Sequence, residues 1–137
     1  MLKPFVNSAP KRSENAYYFR IVSHPFLIQL RELFYNGQKK VIPKKFLESN
    51  FDPFAFSIWI MDDGAADWNQ LRINTQSFTL AENLWLIKFL QAKFGIVAKI
   101  NKDKGKYRLR ISAQSMKILR NLVLPYIIPS MLYKLSP

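Results

Sequence analysis

The sequence predicts an α+β domain, and three observations predict it. Residues 79–94 (TLAENLWLIKFLQAKF) carry helical apolar spacing between a start signal and a stop signal. Residues 96–112 (IVAKINKDKGKYRLRIS) alternate on both sides of a Lys-Asp-Lys-Gly turn, as a strand pair does. Helical and strand-like segments interleave along 137 residues, 49% of them hydrophobic, which suits a single core.

Each element has a local reason. Residues 1–15 hold two prolines and no periodic apolar face, so they read as a basic extended tail. Residues 16–23 (AYYFRIVS) are aromatic and β-branched, a strand. Residues 25–35 (PFLIQLRELFY) start on a proline and repeat near 3.6, a helix that Asn36-Gly37 ends. Residues 38–50 read as a basic connection with Lys39, Lys40, Lys44 and Lys45 around Ile42-Pro43. Asp52-Pro53 opens a second helix, FAFSIWIM, which stops at Asp62-Asp63-Gly64. It is apolar nearly all round, so most of its sides should be buried. Residues 68–78 alternate and read as one strand. Thr79 and Glu82 form a capping box, and Gly95 stands just past the helix they open. Residues 114–124 form a last helix, stopped by Pro125.

Composition removes several chemistries. Cysteine is absent, which excludes disulfides, thiolate catalysis and Cys-based zinc sites. His24 is the one histidine, so catalysis would have to run on carboxylates, lysines or polar side chains. No run of about 18 apolar residues exists to cross a membrane, and the N-terminus lacks the apolar core of a secretory signal.

The charge is uneven. Residues 1–50 carry nine bases and three acids (+6), residues 51–80 one base and four acids (−3), and residues 81–137 eleven bases and two acids (+9), giving +12 in all. Basic regions attract phosphate, largely through released counterions. The acidic island lies at one helix end. Two carboxylates there oppose the helix dipole and repel each other. Either a divalent cation compensates them, or they form a solvated Asp-Asp-Gly turn.

An internal repeat is present. FRIVSHPFLIQLRELF (residues 19–34) matches LRISAQSMKILRNLVL (residues 109–124) at an offset of 90, aligning Arg20 with Arg110, Ile21 with Ile111 and Ile28 with Ile118. Ile42-Pro43 then aligns with Ile128-Pro129 at an offset of 86.

FSIWIMDDG (residues 56–64) resembles the nine-residue LAGLIDADG motif. INTQSFT (residues 73–79), VIPKKFLE (residues 41–48) and PYIIPSMLYKLSP (residues 125–137) resemble other blocks of the two-repeat LAGLIDADG homing endonucleases of organelle introns. The resemblance implies an α-β-β-α-β-β-α repeat over residues 51–137, preceded by residues 16–50 as a remnant of a first repeat. It implies motif helices packed through small residues, here Ala55 and Ser57. Each helix would deliver one acidic residue to a metal site, by position Asp63 with Asp62 beside it, for Mg²⁺. It implies a β-saddle on nucleic acid, with contacts from Arg72, Asn74 and Gln76 on one strand and Lys99, Asn101, Lys106, Arg108 and Arg110 on the hairpin. Asn and Gln suit adenine, and Arg and Lys suit guanine or phosphate. The family's lysine near the scissile phosphate could be Lys104 or Lys106, and Gln76 could position water or contact a base.

A two-repeat enzyme needs two acidic helix ends, and this sequence holds one. About 50–60 further residues would complete the first repeat. The expectation is therefore a nucleic-acid-binding protein that is non-catalytic alone. It would sit on structured RNA in a ribonucleoprotein, such as a mitochondrial intron complex or ribosome, with no cofactor. The alternative is one subunit of a Mg²⁺-dependent DNA endonuclease, as a homodimer or split heterodimer. In either case a protein partner would cover the apolar motif helix, whose one open face would otherwise be exposed.

Overall fold

The computed structural model describes residues 5–135 apart from residues 7 and 15, and of Asp103 it describes the backbone alone. The chain divides after Lys39 into two compact units.

In the first unit, strands Lys11–Ser13 (β1) and Ala16–Tyr18 (β2) form an antiparallel hairpin that sets Lys11 opposite Tyr18 and Ser13 opposite Ala16. The stretch read as a tail thus contains one of its two strands. The strand expected over residues 16–23 stops at Tyr18. The chain then runs to a helix, Pro25–Phe34 (α1), whose N-cap is His24. Its Nδ1 accepts from the Phe26 N–H at 3.2 Å, with Pro25 in the first turn. Val22 N–H donates to the Phe5 carbonyl (2.9 Å), and the Phe5 ring lies edge-on to His24. Short strands Tyr35–Asn36 (β3) and Lys39–Lys40 (β4) follow, with Gly37 at φ +62° between them, and the division of the chain falls within β4.

In the second unit, the basic connection is helical over its second half, Lys44–Asn50 (α2). Leu47 gives that segment an apolar contact with the core, which the run of charges hides in the sequence. The apolar helix spans Pro53–Asp63 (α3), and the Asp52 carboxylate caps it by accepting from Ala55 N–H at 2.8 Å. The single strand expected over residues 68–78 is replaced by a hairpin of Gly64–Asp67 (β5) and Gln70–Ile73 (β6). Ala65 and Ala66 are too small to reveal alternation. The turn uses Trp68 at φ +55°, a conformation that sequence rules assign to Gly or Asn. Helix Leu80–Phe94 (α4) has the expected capping box and ends on Gly95 at φ +69°. Strands Ala98–Asp103 (β7) and Lys106–Ile111 (β8) pair around Lys104-Gly105, and helix Met116–Val123 (α5) follows. The order α3-β5-β6-α4-β7-β8-α5 is the α-β-β-α-β-β-α repeat.

All neighbours in the sheet β5-β6-β8-β7 are antiparallel. Leu71, Ile73, Leu109 and Ile111 are fully buried on one side of it. They belong to one core with Phe56 and Ile60 of α3, Leu86 and Leu90 of α4, and Leu119 and Val123 of α5. Strand pleating leaves the intervening residues on the opposite, open face.

Candidate nucleic-acid interface

The open face of the sheet is cationic. Register sets Arg72 of β6 opposite Arg110 of β8, and Arg110 opposite Lys99 of β7, so three bases form a row across three strands. Like charges placed side by side repel. One carboxylate offsets the row: Asp67 of β5 meets Arg110 Nη2 at 2.8 Å. The Nε–H groups of Arg72 and Arg110 are buried with no acceptor among the described residues. Lys99 is exposed.

A second row lies nearer the end of α3. Asn101 is opposite Arg108, and Lys106 is opposite Asp103. In the orientation of its amide that satisfies both groups, Gln76 accepts from Arg108 Nε at 2.5 Å and from Nη2. Asn74, just past β6, is exposed. Lys104 occupies the β7–β8 turn at φ +48°.

The loop that carries Asn74 and Gln76 is held from below. Thr75 is fully buried; its hydroxyl donates to Asn83 Oδ1 (2.5 Å) and accepts from Leu109 N–H (3.2 Å). Asn83 Nδ2 donates to the carbonyls of Phe78 (3.2 Å) and Thr79 (2.9 Å). Neither Thr75 nor Asn83 is marked in the sequence. The only hint is a polar residue in the helical phase of Leu86 and Leu90.

The acidic end of α3 adjoins this second row. Asn74 N–H donates to the Asp63 carbonyl at 3.0 Å. The Asp63 side chain is half-buried and Asp62 is exposed. The register places the end of α3 and the Lys104–Lys106 turn toward one end of the sheet, and the Trp68 turn at the other. The helix end also has a cation of its own, which sequence reading missed: Lys134 Nζ donates to the Met61 carbonyl. A lysine on the last carbonyls of a helix offsets its partial negative charge. Gly64 is required by close approach, since a Cβ there would lie 2.5 Å from the Ile60 carbonyl oxygen.

A magnesium ion takes one or two carboxylates and fills its remaining positions with water and phosphate oxygens. Asp62 and Asp63 are carboxylates of the kind such a shell takes, and as neighbours in α3 they diverge by about 100°. No group of three or more acidic or histidine side chains able to enclose a metal occurs among the described residues.

Of the remaining basic candidates, Lys44 lies over the Trp85 ring at 5.7 Å, and Lys39, Lys40 and Lys45 are exposed. The other side of α3 is open: Phe54 is 44% and Ile58 42% exposed, whereas Ser57 is buried with its hydroxyl on the Phe54 carbonyl (2.6 Å). No helix among the described residues is long and apolar enough to cross a membrane.

Known proteins share this arrangement. The profile of the LAGLIDADG DNA endonuclease family matches residues 2–119. The chain is 39% identical over 107 residues to the intron-encoded endonuclease ai4 of Dictyostelium discoideum, covering 77% of this chain and 67% of that protein. It is 40% identical over 103 residues to the cytochrome b mRNA maturase bI2 of Saccharomyces cerevisiae, covering 73% of this chain and 24% of that one. It is 31% identical over 126 residues to the probable intron-encoded DNA endonuclease 3 of Mycosarcoma maydis, covering 88% of this chain and 93% of that one. The solved structure of the homing endonuclease I-WcaI bound to its DNA recognition sequence matches with a TM-score of 0.87 and 29% identity, covering 98% of this chain and 66% of that one. The motif helix, the β-sheet with its cationic face and these likenesses agree: the chain belongs to the LAGLIDADG DNA endonuclease family.

Proposed function

We propose that this chain binds nucleic acid on the open face of its four-stranded sheet, holds a structured RNA, and does not cleave DNA as a single copy. The observation that carries the reading is the cationic row Lys99–Arg110–Arg72 on a sheet face that has one acidic helix end, that of α3, at its edge. Phosphate attraction supplies most of the affinity of such a face, and base edges meet the Asn and Gln groups. Two relatives named as cytochrome b mRNA maturases, 40% and 36% identical, favour an RNA ligand. A protein partner covers Phe54 and Ile58, and an organelle ribonucleoprotein such as a mitochondrial intron complex or ribosome fits both surfaces.

The second reading is a subunit of a Mg²⁺-dependent DNA endonuclease. The Asp62-Asp63-Gly64 end favours it, because Gly64 brings β5 tight against the helix and leaves Asp63 at the edge of the cationic face. Asp63 and Asp62 would hold the ion with phosphate oxygens, and the ion would neutralise charge on the phosphate under attack. Lys104 or Lys106 would stand near that phosphate, and Gln76 would orient water or a base.

The test uses a labelled hairpin RNA, a labelled DNA duplex and a supercoiled plasmid with Mg²⁺. The first reading expects RNA binding that Asp63→Asn leaves unchanged, and an intact plasmid. Plasmid cleavage lost in Asp63→Asn, with duplex binding retained, would replace it with the second.

A further inference from the structure

The first unit repeats the hairpin of the second with an altered surface. At the offset of 90 the two registers coincide: Lys11 opposite Tyr18 corresponds to Asn101 opposite Arg108, Arg12–Tyr17 to Lys102–Tyr107, and Ser13–Ala16 to Asp103–Lys106. The turns also correspond, with Glu14 at φ +42° and Lys104 at φ +48°. Lys11 and Tyr18 therefore stand where Asn101 and Arg108 stand, and Arg20, two residues past the end of β2, matches Arg110 in the sequence offset. The exchange matters chemically. Where the second hairpin has a guanidinium that donates to Gln76, the first has a phenol ring, and where it has an amide, the first has an ammonium.

Three properties give this place a ligand. Ser8, Ala9, Lys11, Tyr18, Phe19 and Arg20 line a cleft of about 150 Å³. Tyr18 and Phe19 are 47% and 41% exposed. Residues 1–39 carry six bases and two acids, so the unit is +4. An accessible ring between a lysine and an arginine suits a base that can be stacked and a phosphate that can be paired. Bases within a duplex hide their faces, so the fitting ligand is unpaired.

We propose that the β1–β2 hairpin binds unpaired nucleotides, with Tyr18 stacking on a base and Lys11 and Arg20 meeting its phosphates. This rests on the nucleic-acid reading above and narrows it to single-stranded segments.

The experiment is fluorescence anisotropy with the full chain. The probes are a labelled U-rich RNA of about 20 nucleotides, the DNA strand of the same sequence, and a DNA duplex of that length. Tyr18→Ala is expected to weaken single-strand binding about tenfold, to leave the duplex within about twofold, and to be rescued by Tyr18→Phe. A loss on both single strands means that the base face and phosphate suffice. A loss on RNA alone means that the 2′-hydroxyl is read as well. Either supports the site. Equal losses on single strands and duplex, or none, overturn it. A wild-type chain that binds none of these probes overturns this proposal, and the broader reading falls with it only if the hairpin RNA also fails to bind. Binding that Tyr18→Ala leaves unchanged sinks this one alone.

Discussion

Asn83 is a small residue with a large task. Its amide ties the loop under Asn74 and Gln76 to the first turn of α4, and its Oδ1 receives the Thr75 hydroxyl that also serves Leu109 N–H. Truncation leaves the Phe78 carbonyl and the Thr75 hydroxyl without their partner inside the core. Asn83→Ala should therefore cost about 2–3 kcal/mol, read as a lower urea midpoint at unchanged slope. An unchanged midpoint would mean that the network is dispensable. Gly64 makes a second test. Its φ of −77° is open to any residue, so its requirement is spatial: the obstacle to a Cβ is the Ile60 backbone carbonyl, which cannot swing aside. Gly64→Ala should cost about 1–3 kcal/mol, with the end of α3 displaced. A variant as stable as the parent would show that the β5 backbone yields freely.

Among the elements, α4 was the most legible and β5 the least. Thr79, Glu82 and Gly95 mark the bounds of α4 because capping chemistry is local, and local chemistry is written in adjacent residues. The β7–β8 hairpin was legible for the same reason, through Lys104-Gly105 and strict alternation. Strand β5 was hidden by Ala65 and Ala66, and α2 by its lysines. The cationic face was legible as a list of residues, since parity alone puts Arg72 on the polar side of β6 and Arg108 and Arg110 on that of β8. Its pairings were not legible. Arg110 meets Asp67, and Thr75 meets Leu109, only because β8 inserts beside β6, a choice made by the tertiary fold. Lys134 reaches Met61 from 73 residues away. One element-level prediction follows from such a long contact. Glu82 closes the capping box and also accepts from Ile42 N–H at 3.1 Å, which anchors the segment leading into α2. Thr79→Ala removes a cap, at about 1 kcal/mol. Glu82→Ala removes the cap and the anchor, and should destabilise more, by about 2 kcal/mol in the same denaturation assay. Equal effects would mean that the Ile42 bond contributes nothing.

The whole molecule is defined by its charge. A surplus of twelve positive charges on 137 residues is solvated in the free chain and becomes useful against a polyanion. Counterion release gives this a number. If Arg72, Lys99, Lys106, Arg108 and Arg110 each meet a phosphate, the log of the association constant for duplex should fall with log salt at a slope of about −4 to −5, and for single strands about −3 to −4. Between about 50 and 200 mM salt that is a loss of roughly two to three decades for the duplex. Arg72→Ala should lower duplex affinity and flatten the slope by about one. Arg110→Ala has a different signature, because it also frees Asp67. The half-buried carboxylate left behind repels phosphate, so affinity should fall further than for Arg72→Ala at the same change of slope. Arg110→Ala combined with Asp67→Ala removes that carboxylate and should bring affinity back to the Arg72→Ala level. A slope near zero, or a double variant no better than Arg110→Ala, would show that nucleic acid does not lie on this face of the sheet.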